Sequence, residues 1–323
     1  MIEVKNLTKI YFSYKKTGDF LKDLFFKEYK KIIALENISF EINNPEFVGL
    51  IGPNGAGKTT TMKILSGILY PTKGKINILG FTPFEKKKEF LRQISFVMGQ
   101  KTQLHWDLPS IDSFYLLKDI YEIDNLIFKK TLSQLTEILN CQELINKPVR
   151  NLSLGERMKM ELIASLLHNP RIIFLDEPTI GLDIFSQEAI RNFLKIYQKE
   201  FKATIILTSH YLEDVKKLAQ RLIIINNGKI IYDNSLNKIK KEFSNKYLTI
   251  YLEKEIDKKI FEKIGEIIFY QYPKVVIKIN KQTLVEKIDF INKNIAYSDL
   301  TIEEEKIEEI IKKILNNNFL SFV

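Results

Sequence analysis

The segment Gly52-Pro-Asn-Gly-Ala-Gly-Lys-Thr59 constrains the fold of this chain more than any other feature. It fits the pattern G-x-x-x-x-G-K-[ST], follows the apolar run Phe47 to Ile51 and opens the helical run Thr60 to Leu69. Its glycines let the backbone close around a phosphate group, to which successive N–H groups and the helix N-terminus present partial positive charge. The sequence therefore predicts a strand, a phosphate-binding loop and a helix in this order.

Four more apolar runs rich in β-branched residues predict buried strands. They are Ile94 to Met98, Ile172 to Leu175, Thr204 to Thr208 and Leu222 to Ile225. Because their hydrophobicity is nearly continuous, we expect parallel strands that are covered on both faces. Helical patterns alternate with these runs, so the fold class is predicted to be α/β.

An Asn-Asn-Gly turn, a short Ile-Ile-Tyr strand and a polar stretch lie between Asn226 and Asn237. They indicate a boundary that separates a domain at 1–236 from a smaller domain at 237–323. The second segment reads as strand, helix, strands, helix, strand and final helix, so we expect an accessory α+β domain. Glu303 to Glu305 read as the solvated start of that final helix, where carboxylates favour the helix dipole.

Two carboxylates, Asp176 and Glu177, directly follow the predicted strand Ile172 to Leu175. At the tip of a parallel strand they would lie beside the phosphate loop, as in a Walker B arrangement. Asp176 would then hold Mg²⁺ through its water shell, and Glu177 would orient or deprotonate the attacking water. In the loop, Lys58 would reach the β- and γ-phosphates and Thr59 would offer a hydroxyl to Mg²⁺.

Upstream, Asn151-Leu-Ser-Leu-Gly-Glu156 precedes a helical pattern that continues through Leu167. The spacing S-x-x-E before an apolar helix predicts a capping box, with Ser153 as the cap and Glu156 reaching back to it. The helix N-terminus made in this way is suited to meet a γ-phosphate.

This hexapeptide resembles the signature motif of the ATP-binding cassette (ABC) ATPases, usually written LSGGQ. Leu154 and Glu156 depart from that pattern, whereas Ser153 and Gly155 match it. About residues 1 to 236 resemble the family, whose motifs occur in family order. In this sequence they are Tyr11, the Walker A loop, Gln100, the signature, Walker B, Asp183 and His210.

The resemblance implies a P-loop NTPase domain with a parallel core sheet, an antiparallel β-subdomain and a helical signature subdomain at about 101–168. It implies ATP and Mg²⁺ as cofactors, with Glu177, His210 and Gln100 in catalysis and Thr59, Gln100 and Asp176 at the metal. The residues implied for nucleotide contact are Tyr11, Gly52, Pro53, Asn54, Gly55, Ala56, Gly57, Lys58, Thr59, Thr60, Ser153, Gly155, Glu156 and Asp183. Tyr11 would stack on adenine, or else pack in a strand core.

In such a family two subunits meet head to tail, so that the signature of one faces the Walker A loop of the other. The resemblance therefore implies a homodimer or a pair with another ABC subunit, acting on separate transmembrane permease subunits. The sequence resembles a prokaryotic export-type branch related to sodium- and drug-extruding ATPases, which implies export over import. Two alternatives are a soluble ABC ATPase acting on ribosomes or nucleic acid and a regulatory module that binds ATP without turnover. We expect no nucleic-acid partner, because only one Walker A loop and no long coiled coil occur.

Composition restricts the location and chemistry of the chain. The formal charge of +9 permits anionic partners without choosing among them. With no apolar run of roughly 18 residues and no secretory signal at its start, we expect a cytoplasmic protein, peripheral on the inner face of the membrane. The single cysteine, Cys141, is expected to be a small buried hydrophobe.

Two segments are peculiar to this sequence. Residues 12–31 form an insertion, in which 19–31 predict a basic amphipathic helix that lies on a membrane or partner, or packs on its own domain. The only tryptophan, Trp106, follows Gln100 in the segment that resembles the family's helical subdomain, which grips the permease. The alternative for Trp106 is burial in the core of that subdomain.

Overall fold

The computed structural model describes residues 1–14, 29–99, 101–209, 211–242 and 245–320. It divides into two compact units, Met1–Asn234 and Ser235–Val323. The strands of the first unit are β1 Ile2–Tyr14, β2 Tyr29–Ile42, β3 Phe47–Ile51, β4 Lys73–Ile78, β5 Ile94–Met98, β6 Ile172–Asp176, β7 Thr204–Thr208, β8 Arg221–Asn226 and β9 Lys229–Ser235. Its helices are α1 Lys58–Leu65, α2 Lys88–Leu91, α3 Ser110–Ile120, α4 Asn125–Ile138, α5 Leu154–Leu166, α6 Ile184–Phe201 and α7 Leu212–Leu218.

A six-stranded sheet in the order β5-β6-β7-β3-β8-β9 forms the centre of the first unit. Strands β5, β6, β7, β3 and β8 run parallel. Every residue of β3, β6 and β7 is buried, which explains the continuous apolar runs in the sequence. The five predicted strands are confirmed. The carboxyl ends of β3, β6 and β7 therefore meet at one edge, where ligands bind in open α/β sheets.

A three-stranded antiparallel sheet in the order β2-β1-β4 also belongs to the first unit. Phe12, Ser13 and Tyr14 of β1 pair with Lys31, Lys30 and Tyr29 of β2, respectively. The expectation of a helix over 19–31 is thus wrong for 29–31, because these residues extend the hairpin. The remainder of that predicted helix lies at 15–28, outside the described residues.

Helices α3, α4 and α5 occupy the segment predicted to be helical, and their apolar faces share one core with the central sheet. Phe114, Phe128 and Met160 are fully buried there. Cys141 is buried in the same core, and burial raises the pKa of its thiol to about 11, in agreement with its prediction as a small hydrophobe. In the described part of the chain, no helix is both long and apolar enough to span a bilayer.

The second unit is a four-stranded antiparallel sheet with helices. Its elements are α8 Leu236–Glu242, β10 Asn245–Leu252, α9 Lys258–Glu262, β11 Glu266–Gln271, β12 Lys274–Asn280, α10 Leu284–Asn294, β13 Tyr297–Glu304 and α11 Ile307–Leu320. From β10 to β13 the connection is βαββαβ and the strand order is β11-β12-β10-β13, which is the ferredoxin-like arrangement. The α+β expectation agrees with these elements.

Glu303 to Glu305 do not start the final helix. Glu303 and Glu304 end strand β13, and α11 begins at Ile307. Glu305 is buried, where its carboxylate accepts hydrogen bonds from Asn245 Nδ2 (3.0 Å) and Tyr247 Oη (3.4 Å) and pairs with Lys313. One of three consecutive glutamates, Glu305, is therefore a buried hydrogen-bond acceptor, and composition alone cannot distinguish it from its exposed neighbours.

Candidate nucleotide-binding site

The loop at 52–57 turns the chain from β3 into α1, and its geometry depends on close backbone packing. Gly57 caps α1 with φ 111°, and a Cβ there would lie 2.5 Å from Leu35 Cδ2 and 2.7 Å from the Ala34 oxygen. Only glycine accepts this conformation and this approach. Pro53, Asn54 and Gly55 stay exposed, so the concave face of the loop is accessible.

Helix α1 starts at Lys58, with Thr59 and Thr60 in its first turn, and ends at Leu65. The predicted helix to Leu69 is therefore too long. Gly67, with φ 76°, donates its N–H to the Ile64 oxygen at 3.1 Å and turns the chain away.

Lys58 is held against the loop that it serves. Its ammonium group donates to the backbone oxygens of Gly52 (2.7 Å) and Pro53 (3.0 Å), and the residue is only 6% exposed. Burial lowers the pKa of Lys58, and the charges of Glu177 and Asp176 partly oppose that shift. A desolvated ammonium group has few water partners to lose when phosphate arrives, which strengthens its attraction to an anion.

Asp176 connects three elements at the carboxyl edge of the sheet. Its Oδ1 accepts hydrogen bonds from Thr59 Oγ1 at 3.3 Å and from Thr208 Oγ1 at 2.5 Å. These contacts join the end of β6 to α1 and to the end of β7. The expected Walker A and Walker B residues, Thr59 and Asp176, are therefore brought together.

Glu177 adopts a conformation that is unusual for its residue type. Its φ is 56°, in the left-handed region, which costs a non-glycine residue of order 1–3 kcal/mol. Its N–H points toward the oxygen (3.1 Å) and Oγ1 (3.2 Å) of Thr208, so β7 holds the turn. Such stored strain is typical of functional residues, and the Glu177 side chain is half-buried and so remains partly accessible.

The predicted capping box at the start of α5 is confirmed. Ser153 Oγ accepts from the Glu156 N–H at 3.3 Å, and Glu156 Oε2 accepts from the Ser153 N–H at 2.9 Å. Hydrogen bonds to the carboxylate, first from the Ser153 N–H and then from the Ser153 side chain, lower the pKa of Glu156. Leu154, in place of the usual glycine, is exposed.

Gly155 and Asp183 meet within one chain. A Cβ at Gly155 would lie 2.1 Å from Ser186 Oγ and 2.8 Å from Ser186 Cβ. Ser186 in turn donates its N–H to Asp183 Oδ1 (2.9 Å) and its hydroxyl to Asp183 Oδ2 (2.6 Å), so Asp183 caps α6. The signature and the Asp183 turn therefore form one packed unit.

The remaining predicted residues do not take part in the contacts described above. Tyr11 is 38% exposed on β1, with Lys9 Nζ 5.2 Å from its ring centroid, so it is not packed in a strand core. Trp106 is 48% exposed with Arg157 over its ring at 5.4 Å, so its burial in the subdomain core is wrong. Gln100 and His210 lie outside the described residues.

Sequence reasoning missed Thr208, which hydrogen bonds to Asp176 and to the Glu177 N–H. The signal was available, because Thr208 is a polar residue that ends the predicted strand Thr204 to Thr208. Parallel strands end at the same edge, so this hydroxyl had to lie near the Walker B tip.

The ABC transporter family model matches residues 35–180, which include the phosphate loop, Asp176, Glu177 and the signature. The ABC transporter ATP-binding protein NatA of Bacillus subtilis (strain 168) is 32% identical over 215 residues, which cover 66% of this chain and 87% of that protein. The chain belongs to the ABC transporter ATP-binding proteins. It is an ATP-binding and ATP-hydrolysing subunit of an ABC transporter.

Other ABC relatives extend the comparison. The bacitracin transport ATP-binding protein BcrA of Bacillus licheniformis is 28% identical over 295 residues, which cover 90% of this chain and 94% of that protein. The dimeric ABC cassette MJ0796, solved in a post-hydrolysis state with ADP and Pi, has a TM-score of 0.61 and 27% identity, covering 73% of this chain and 99% of that one. The predicted family, α/β cassette fold and ATPase activity are confirmed.

Proposed function

We propose that this subunit works as one half of an ATP-driven clamp whose closure moves separate transmembrane permease subunits. The 3.3 Å contact between Thr59 Oγ1 and Asp176 Oδ1 is the observation that carries the proposal. It joins the residue after the phosphate-loop lysine to the carboxylate of Walker B, and these two groups are far apart in the sequence. A site that assembles both is suited to phosphoryl transfer and not merely to structural support.

The donor set at this point fits Mg²⁺. A threonine hydroxyl and a carboxylate are hard oxygen ligands, and Mg²⁺ takes one or two such ligands together with phosphates and water. Thr59, Asp176 and Gln100 would hold the ion, which neutralises charge on the phosphates when bound. Lys58 would bind the β- and γ-phosphates, and the residues of the loop Gly52 to Gly57 other than Pro53 would supply N–H groups to them.

Glu177 is the proposed general base or water-orienting group, and His210 the residue that closes on the γ-phosphate. The left-handed backbone at Glu177 supports this role, since strained backbone of this kind clusters at functional residues. Tyr11, exposed on β1, is the proposed stacking partner for adenine.

The second half of each site comes from another subunit in this proposal. Ser153, Gly155 and Glu156 would meet the γ-phosphate bound to the partner, and Asp183 would contact the opposing site. The capped N-terminus of α5 supports this role because its free N–H groups attract an anion. The partner is a second copy or a paired ABC subunit.

Export is the proposed direction of transport, from the inner face of the cell membrane. The resemblance of the sequence to the export-type branch supports this direction, and the similarity to BcrA, a bacitracin transport ATP-binding protein, supports a role in transport. Residues 1–236 would act as the motor, with 101–168 reaching the permease, and 237–323 as an accessory domain. No nucleic-acid partner is proposed.

Steady-state hydrolysis tests the catalytic part of the proposal. The rate should rise faster than linearly with protein concentration in dilute solution, and Glu177→Gln should abolish it while ATP still binds. Glu137→Gln, which changes an exposed carboxylate on α4, is the matched control and should retain the wild-type rate. A strictly linear rate from a proven monomer would refute the shared site.

The transport part needs a different readout. Tagged Glu177→Gln protein can be purified from its native cells in detergent with ATP and Mg²⁺, and the copurifying proteins identified. Multispanning membrane proteins in near-equal amount are the expected result. Ribosomal proteins or nucleic acid without a membrane partner would favour the soluble alternative.

A further inference from the structure

A fully buried carboxylate, Asp214, lies at the start of α7 and has no role in the nucleotide site described above. It is 0% exposed, and three side chains donate hydrogen bonds to it. Thr179 Oγ1 and Ser209 Oγ both donate to Oδ2, at 2.5 Å and 2.6 Å, and Arg191 NH1 donates to Oδ1 at 2.8 Å. Arg191, Thr179 and Ser209 are themselves buried.

The burial of this group requires an explanation. A buried ion pair is weak support for stability, because two charges lose their hydration when they enter the interior. An apolar pair of similar volume would fill the same space without that cost. The useful property of Asp214 is that its two oxygens hold three donors from different segments in a defined geometry.

Two of the three donors, Thr179 and Ser209, belong to the two loops that matter most for the proposed hydrolysis. Thr179 lies two residues after Glu177, inside a turn in which the Ile180 N–H donates to the Glu177 oxygen at 3.3 Å. Ser209 directly precedes position 210, and its Oγ also accepts from the Tyr211 N–H at 2.9 Å. A single carboxylate oxygen therefore ties the Glu177 turn to both chain neighbours of His210.

Arg191 supplies the third hydrogen bond to Asp214. It lies on α6, which Asp183 caps, and its NH2 also pairs with Glu188 at 3.4 Å. The network thus connects α6 and α7 with both loops, while Thr208 connects the same loops one residue nearer the sheet.

We propose that Asp214 is a positioning residue for ATP hydrolysis, which holds the Glu177 turn and the segment at Ser209 in register through the Thr179 and Ser209 hydroxyls. This inference rests on the proposed catalytic roles of Glu177 and His210. Asp214 contacts no reacting atom and acts through its neighbours. An error of about 1 Å in a catalytic group costs on the order of 100-fold in rate, so loss of one anchor should lower kcat without a comparable change in ATP affinity.

Thr179→Val and Ser209→Ala test this without disturbing the buried ion pair, since each removes one hydroxyl and leaves Arg191 and Asp214 in place. The full-length protein is compared for kcat, for the Kd of a fluorescent ATP analogue with Mg²⁺, and for the urea midpoint. Each variant should lower kcat about 10-fold, since its loop keeps part of its anchoring, with Kd within about twofold. Because both hydroxyls bind Oδ2, the double variant should lose less than the product of the single losses. Thr179→Ser restores the hydroxyl and should restore kcat.

Two matched controls report on a purely structural effect. Thr136→Val and Ser165→Ala each remove a buried hydroxyl that donates only to its own helix backbone. Unchanged kcat in Thr179→Val and Ser209→Ala would overturn the inference, as would equal losses in the controls or losses of kcat and ATP affinity together. Glu177→Gln distinguishes failure of the proposed catalytic role of Glu177 from failure of the positioning role of Asp214. If Glu177→Gln hydrolyses ATP normally, the catalytic role is wrong. If Glu177→Gln is inactive while Thr179→Val and Ser209→Ala are normal, only the positioning role is wrong.

Discussion

Replacement of Gly155 by alanine should force the signature against the Asp183 turn. The added Cβ would lie 2.1 Å from Ser186 Oγ and 2.8 Å from Ser186 Cβ, well inside any normal contact. Overpacking of this kind costs about 1–3 kcal/mol. Alanine in a helix is otherwise favoured over glycine by about 1 kcal/mol, so the net loss in Gly155→Ala should be about 0–2 kcal/mol.

The structure also specifies the variant that relieves the clash. Ser186→Gly removes both obstructing atoms, after which the nearest neighbour of the new Cβ is Asp183 Oδ2 at 3.8 Å. In that background Gly155→Ala should be neutral or stabilising. The double-mutant cycle should therefore give a coupling free energy of about 1–3 kcal/mol.

Urea unfolding followed by tryptophan fluorescence is the assay. Trp106 is the only tryptophan and belongs to the first unit, so its signal reports the unfolding of that unit. Thermal midpoints should move by roughly 3 °C for each kcal/mol in a unit of this size.

Ser133→Gly provides the control, because it makes the same exchange at an exposed position of α4, and Ser133 is not among the nearest neighbours of a Cβ at Gly155. It should combine additively with Gly155→Ala, to within about 0.5 kcal/mol. If Ser186→Gly is equally additive, the reasoning about the close approach is refuted.

Three further predictions follow from the charges and caps. Ser153→Ala and Glu156→Ala should each lower the free energy of unfolding by about 1 kcal/mol. Because hydrogen bonds lower the pKa of Glu156, its carboxylate stabilises the folded state above the ordinary glutamate pKa. Urea midpoints should show this stabilisation disappear as the pH falls through the lowered pKa. Burial lowers the pKa of Lys58, and bound phosphate should raise it again, so ATP binding at alkaline pH should be accompanied by proton uptake. Calorimetry in two buffers of different ionisation enthalpy should detect this uptake for the wild type and not for Lys58→Arg, which stays charged. Equal binding enthalpies of the wild type in the two buffers would contradict the prediction. Glu161 is buried, accepts a hydrogen bond from the Gln103 N–H at 3.2 Å and has a pKa that burial raises. The stability of the wild type relative to Glu161→Gln should therefore be greatest below the ordinary glutamate pKa and decline as the pH rises through the raised pKa of Glu161. A stability difference that does not depend on pH would contradict this prediction.

Local patterns in the sequence predict much of the first unit because a single physical signal sets each element. The strand at 172–176 is buried throughout and the strand at 94–98 is buried or half-buried at every position, so their hydrophobicity alone predicts them. The capping box at Ser153 depends on residues three positions apart, and such local spacing is visible in a sequence.

Features that depend on contacts distant in sequence could not be predicted in this way. The 29–31 segment has an apolar and basic pattern that suits a helix, yet its pairing with 12–14 makes it a strand. The left-handed backbone of Glu177 is accompanied by a hydrogen bond from its N–H to Thr208, which lies 31 positions away. Glu305 is hidden by Asn245 and Tyr247, which come from another strand.

The Ser153 and Asp183 caps have a kinetic consequence for the proposed dimer. Both caps are made of residues of a single chain, and Gly155 packs against Ser186 of the same chain. The conformational entropy of this segment is therefore lost when the chain folds and not when two cassettes meet. Association at this surface would be a collision between rigid, preorganised parts, limited by diffusion and orientation and not by a local folding step.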